Sequence, residues 1–137
     1  MKKLLNRIFI EGLSGMAYGL FATLIIGTII QQIGNLIGGD LGTLIYQFGK
    51  FAAAMTSAGI GVGVACRFKE SSLVVLSAAT AGMVGGFAEK ITSGTVFTEE
   101  GALILSGPGE PLGAFLAAYI AIELSRLIAG KTKLDII

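Results

Sequence analysis

The amino-acid sequence predicts an all-α membrane protein with about four transmembrane helices. Of its 137 residues, 53% are hydrophobic and only 14% are charged, whereas about a quarter of the residues in a typical soluble domain are charged. The mean hydropathy is +0.81, and apolar runs long enough to cross a bilayer, roughly 20 residues each, recur along the chain. The whole length of 1–137 is therefore expected to form a single membrane domain.

The first predicted span is 8–33. It is interrupted near its start only by Glu11, and the small residues Gly15 and Gly19 would let another helix approach closely. The segment 35–42, which is rich in glycine, then reads as a short turn.

The second predicted span, 43–66, carries a single charge at Lys50. Its second half consists mostly of small residues and includes Gly59 and Gly63. Such a surface is typical of a helix that packs against other helices rather than against lipid.

The third predicted span is 72–88, where Gly85 contributes to a face of small residues, and the fourth is 111–129. Pro111 suits the first turn of a helix, and Glu110 just before it complements the positive end of the helix dipole.

A break precedes this last helix. The segment 107–113 contains both prolines of the chain, together with Gly107, Gly109 and Glu110, and proline and glycine disfavour a continuous helix. The segment is either an external loop or a candidate re-entrant loop, since irregular backbone is tolerated at membrane depth only where protein or water satisfies it.

The distribution of basic residues predicts that both termini are cytoplasmic. Basic side chains concentrate at the two ends and in the connection between the second and third spans, whereas the other two connections contain only Lys90. By the positive-inside rule the region 89–110 then faces outward. The relevant basic residues are Lys2, Lys3, Arg7, Arg67, Lys69, Arg126, Lys131 and Lys133.

Lys50 and Glu110 are the candidate substrate-binding residues, with Pro111 and Gly113 beside them. An intramembrane cation usually has a partner and a function, and broken helices of transporters bind solutes at their termini. Glu110 or Asp40 would be the natural partner of Lys50. The alternatives are that Lys50 extends to the outer surface and that Glu110 only begins a helix.

Two further ion pairs are predicted from helical spacing. Glu11 follows Arg7 at i+4 and Arg126 follows Glu123 at i+3, so each pair explains its carboxylate without a functional role.

Other chemistry is disfavoured. The chain has no histidine and one cysteine, Cys66, so neither a metal site nor a cofactor is predicted, and no catalytic residue is expected. The scattered basic residues form no nucleic-acid surface. The chain is therefore not expected to be an enzyme.

Several glycine-rich segments recur in a characteristic order and spacing. They are Phe9–Ala17, Gly19–Ile29, Gly49–Ala52, Gly59–Ala65, Gly113–Phe115 with Ala117–Ala118, and Gly130–Ile137. Together they resemble the phosphotransferase-system EIIC-like sugar permeases, the second of the EIIC families, and the resemblance covers essentially the whole chain.

This resemblance implies a multi-pass sugar permease component of the cytoplasmic (inner) membrane that works with soluble phosphotransferase components. Those partners would perform any phosphoryl transfer. Family members continue beyond the final segment into further spans, so the resemblance implies the amino-terminal half of a permease. It supplies no pattern of binding residues for Lys50 or Glu110.

Three hypotheses follow. The first is an EIIC-like permease component for a sugar or other small polar solute, acting as a homo-oligomer or with a second permease half in the lipid bilayer. The second is a small proton-coupled multidrug exporter that uses Glu11, although the 8% aromatic content is low for a drug-binding chamber. The third is a membrane scaffold subunit that transports nothing.

Overall fold

The computed structural model describes residues 2–95, 97–103 and 107–128. Apart from one isolated β-bridge between Phe97 and Leu103, the regular structure of these residues is helical, which confirms the predicted all-α membrane class. The helices are α1 (Lys2–Ile37), α2 (Gly39–Ala54), α3 (Thr56–Arg67), α4 (Ser72–Gly86), α5 (Ala88–Ser93) and α6 (Pro111–Ile128).

Two of the described helices, α1 and α6, are each long and apolar enough to cross a membrane. Helices α2 and α3 bend by 45° at their junction and qualify as a third span when taken together. Helix α4 is apolar but has only 15 residues. The number of four spans therefore stays a prediction, as does the cytoplasmic position of both termini.

The first half of α1 packs closely against α3. A Cβ added at Gly15 would lie 2.5 Å from the carbonyl oxygen of Gly63, and a Cβ at Gly19 would overlap the carbonyl group of Gly59. At both points backbone meets backbone, as small residues permit in membrane helices. The glycines singled out in the first two spans thus lie at one interface.

Helix α4 packs between α3 and α6. Gly82 of α4 faces Ser57 of α3, where an added Cβ would be 2.5 Å from the Ser57 carbonyl oxygen. On its other side, a Cβ at Gly85 would be 2.5 Å from the carbonyl oxygen of Gly113 at the start of α6. The core of the bundle formed by α1, α3, α4 and α6 contains Phe115 but is otherwise mostly aliphatic, with Ile60, Val64, Ala78, Ala114, Ala118 and Ile122 fully buried.

The second half of α1 forms a hairpin with α2. Added Cβ atoms at Gly27 and Gly34 would meet the α2 backbone at 2.8 Å and 2.5 Å, respectively. The turn uses Gly38 and Gly39, whose φ values of +69° and +66° favour glycine. We call this unit, residues 24–54, the hairpin.

We expect Gly19→Leu to disrupt the contact between α1 and α3. Because the backbone of α3 blocks the new side chain, we expect the free energy of unfolding to fall by about 3 kcal/mol, the upper end of typical overpacking costs. Thermal or denaturant unfolding in detergent micelles measures the change. The matched control is Ala22→Leu on the exposed side of α1, which should be nearly neutral; equal losses in the two variants would contradict the packing interpretation.

Candidate functional site

A cavity of about 520 Å³ lies between the hairpin and the broken segment that precedes α6. One wall is formed by the hairpin, and Gly107 and Pro108 contribute the opposite part of the lining. The described lining residues are Leu24, Thr28, Gln31, Gln47, Lys50, Phe51, Ala53, Ala54, Gly107 and Pro108.

The polar wall follows from helical spacing. Thr28 and Gln31 are three apart on α1, and Gln47 and Lys50 are three apart on α2, so each pair lies on one face of its helix. The two faces meet along the same side of the hairpin because all four residues line one cavity. We call these four residues the polar face.

The polar groups of three polar-face residues make no hydrogen bond or ion pair with the described residues. Among residues 2–95, 97–103 and 107–128, none forms a hydrogen bond or ion pair with the side chain of Gln31, Gln47 or Lys50. Thr28 differs, because its hydroxyl donates to the carbonyl oxygen of Leu24 at 2.8 Å. The cavity therefore presents two amides and an ammonium group that can bind something else.

A second cavity of about 310 Å³ continues in the same direction at the hairpin tip. Its lining includes Asn35, four residues beyond Gln31, and Thr43, four residues before Gln47. The two cavities thus follow polar positions along one side of the hairpin from its tip toward its base.

The broken segment is held in place by two hydrogen bonds to the bundle. The Ser57 hydroxyl donates to the carbonyl oxygen of Pro108 at 2.7 Å, and the backbone N–H of Glu110 donates to the carbonyl oxygen of Gly86 at 2.7 Å. Gly109 lies against this anchor with φ +79°, and an added Cβ would be 2.6 Å from Ser57 Oγ. Glycine is therefore required there both by the backbone conformation and by the close contact.

The other predicted binding residues lie at the start of α6. Glu110 is exposed, and its Oε1 accepts the backbone N–H of Leu112 at 3.1 Å, which is the helix-start role. Pro111 begins α6, and Gly113 contacts Gly85. These three are not among the described lining residues of the large cavity.

Among the described residues, Lys50 does not form the ion pair predicted for it. No carboxylate of the described segments, including Asp40 and Glu110, lies within 4.0 Å of its ammonium group. Glu110 is instead used at the helix start, and Asp40 lies near the hairpin tip, about 15 Å from Lys50 along α2 at ~1.5 Å per residue.

A separate ionic cluster lies at the opposite end of the bundle. The Arg7 Nε donates to Glu123 at 2.9 Å and its Nη2 lies 3.5 Å from Glu70. Arg126 contacts the same two carboxylates, at 3.4 Å for Glu70 and 3.7 Å for Glu123. The last distance confirms the predicted pair, and the four side chains form a closed ring of alternating charge.

The predicted pair between Arg7 and Glu11 is wrong. Residues Arg7–Gly12 form a π-helical turn, whose wider winding moves residues four apart out of register. Glu11 pairs instead with Arg67 of α3 at 2.7 Å, and the Arg7 guanidinium lies 3.8 Å above the ring of Phe68. These bonds join the start of α1 to the ends of α3 and α6 and to the connection before α4.

The sequence did not single out Ser57, Gln31 or Gln47 as site residues. Ser57 was one small residue within a run of small residues, and only its contact with Pro108, 51 positions away, distinguishes it. The two glutamines carried a usable signal, since each has the three- or four-residue spacing to another polar residue that defines a helix face.

The fold and cavity define a helical membrane protein with a polar recess between a helix hairpin and a proline-containing loop. Within that class, the chain belongs to the phosphotransferase-system EIIC family, because residues 10–137 match the family model described as "Phosphotransferase system, EIIC". Membership of this family makes it a component of a sugar-transport permease. Neither a curated protein nor a solved structure matches the chain.

We expect Ser57→Ala to loosen the broken segment. It leaves the Pro108 carbonyl without its partner, and such a loss costs about 1–3 kcal/mol. The free energy of unfolding in detergent micelles measures it, with Ser14→Ala as control because no described residue hydrogen-bonds to Ser14. A loss no larger than that of the control would mean that the Ser57 bond does not hold the segment.

We expect Glu70→Gln to destabilise the bundle more than Glu11→Gln. Glu70 is 13% exposed and serves two arginines, whereas Glu11 is 37% exposed and serves one. We expect the free energy of unfolding to fall by about 2 kcal/mol for Glu70→Gln and by under about 1 kcal/mol for Glu11→Gln. The first value lies between those typical of surface and of buried ion pairs, and the second is typical of a surface pair. Chemical unfolding at low salt measures both, and the reverse order would contradict the role of the ring.

Proposed function

We propose that this chain supplies the outer part of a solute pathway in a sugar permease of the inner membrane. The single observation that carries the proposal is the polar face, whose Gln31, Gln47 and Lys50 side chains border a cavity without partners in the described segments. Uncommitted polar groups at membrane depth are costly unless they face water, protein or solute.

The depth of the cavity follows from distances along α1. The ionic cluster marks one membrane surface, and the helix from Glu11 to Gln31 is about 30 Å long at 1.5 Å per residue, close to the hydrocarbon thickness. Gly49 contacts Gln31, so Lys50 is near the same level. The cavity would then lie in the outer part of the membrane and open outward.

The broken segment is proposed to re-enter the membrane. Gly59 contacts Gly19 and Thr23, and Ser57 lies just outward of it, at least about 18 Å from Glu11 along the axis at 1.5 Å per residue. Pro108 is bonded to Ser57 and therefore shares that depth. Its hydrogen bonds to the bundle meet the condition for irregular backbone within a membrane.

The orientation proposed is the one given by the positive-inside rule, with both termini cytoplasmic. The ring of Arg7, Glu70, Glu123 and Arg126 gathers the start of α1, the connection before α4 and the end of α6 at one end. Most of the basic residues that the structure describes lie at that end or in segments adjoining it, as expected of a cytoplasmic surface.

The polar face also supports the proposal that this chain does not act alone. Its open side must be covered, and a second copy or a second permease half would close the pathway against lipid. Glu11, the carboxylate that an exporter would need, is paired with Arg67, and this favours the permease over the exporter. Alternating access around the cavity is the proposed mechanism.

Cysteine labelling tests the pathway. In a Cys66→Ser background, Gln31→Cys and Gln47→Cys should react with a membrane-impermeant thiol reagent added outside intact cells, because they face an open aqueous cavity. The controls Ile29→Cys and Phe48→Cys lie on the exposed apolar sides of the same helices and should react slowly in lipid. If neither Gln31→Cys nor Gln47→Cys is labelled, and the two control positions are not labelled either, an outward-open pathway is contradicted.

A further inference from the structure

We infer that the cavity at Lys50 receives a solute with an anionic group, a carboxylate or a phosphate, on a hydroxylated body. The inference rests on the proposed function, because it assigns a chemical class to the solute that enters the pathway. It differs from a pathway for neutral sugars, which would need no fixed charge of one sign.

The charge of the cavity is the first step. Lys50 is the only ionisable side chain among the described lining residues, and the remaining polar ones are Thr28, Gln31 and Gln47. The described lining therefore carries a formal charge of one positive unit with no carboxylate to balance it.

No carboxylate of the described residues lies within 4.0 Å of the Lys50 ammonium group. The Glu110 carboxylate accepts the Leu112 N–H, and Glu11, Glu70 and Glu123 are engaged by arginines at the far end of the bundle. An ammonium group at the outer edge of the membrane, with no carboxylate of the described residues within 4.0 Å, attracts an anion into the cavity beside it. We therefore assign the counter-charge of Lys50 to the solute.

The neighbouring groups suit an anion that also carries hydroxyls. The ammonium of Lys50 has three donors, and the amides of Gln31 and Gln47 can donate to anionic oxygens or exchange hydrogen bonds with hydroxyl groups. Leu24 and Phe51 supply an apolar surface for carbon–hydrogen faces. The volume of about 520 Å³ lies within the range of roughly 300–1,000 Å³ of small-molecule sites.

The sign of the cavity can be measured without knowing the solute. Gln31→Cys in the Cys66→Ser background is labelled in intact cells with two thiosulfonate reagents, one bearing a sulfonate and one bearing a trimethylammonium group. A unit charge about 6 Å away in water changes the local concentration of each ion about threefold in opposite directions, so the rate ratio should favour the anionic reagent about tenfold. The reference ratio is the one that the two reagents show with a small neutral thiol in solution.

Variants of Lys50 identify the source of the effect. We expect Lys50→Gln to lower the ratio about tenfold, to the reference value, and Lys50→Arg to leave it unchanged, because only the charge matters. A ratio equal to the reference that Lys50→Gln leaves unchanged would overturn the inference, because some other group would then neutralise Lys50. Labelling by neither reagent would instead contradict the aqueous pathway itself.

The solute class is tested by protection of the same cysteine. Glucuronate and glucose phosphate represent the two anionic groups, and glucose is the neutral match. Protection by either anion at a concentration at least tenfold lower than that of glucose, lost in Lys50→Gln, supports the inference and distinguishes carboxylate from phosphate. Equal protection by all three, or protection by glucose alone, overturns the anionic class while leaving the pathway intact.

Discussion

The contact of α1 with α3 through glycine is the constraint on which the remaining structure depends. Gly15 meets Gly63 and Gly19 meets Gly59 with no side chain between the two backbones. Within a membrane, where burial of apolar surface gives helices little reason to associate, such close packing and interhelical bonds supply the attraction. When α3 is packed against α1, Ser57 in its first turn contacts Pro108, and Arg67 at its last residue contacts Glu11.

The position of the broken segment, the loop that contains Pro108, depends on the packing of α3. Ser57 contacts Gly82 and Gly86 of α4 on one side, and its hydroxyl donates a hydrogen bond to Pro108 on the other. Helices α3 and α4 together therefore fix the position of this loop. The hairpin leaves the bundle where α2 and α3 bend by 45°. The cavity is the space between this diverging hairpin and the loop, and its existence therefore requires the bend and the anchor at once.

The two ends of the molecule treat charge in opposite ways. At the end with Arg7, every guanidinium of the cluster meets a carboxylate, and the ring joins three parts of the chain that are far apart in sequence. At the cavity, Lys50 meets none of the described carboxylates. A closed network stabilises a fixed arrangement of helices, whereas an unbalanced charge at a cavity is suited to binding a mobile solute.

The amino-acid sequence by itself determined the class of protein, the helical content, the family and the break before α6, because these depend on composition, apolar run length and local backbone preferences. Lys50 stood out for the same reason, as a single cation in an apolar run. Apart from the Glu123–Arg126 pair, which helical spacing predicts, the tertiary structure decided the partners. Arg7 pairs with Glu70 and Glu123 rather than with Glu11 because a local π-helical turn changes the register and because the other helix ends arrive beside it. Ser57 acquires its role only when Pro108, distant in the chain, lies on it, and no local pattern of residues contains that contact.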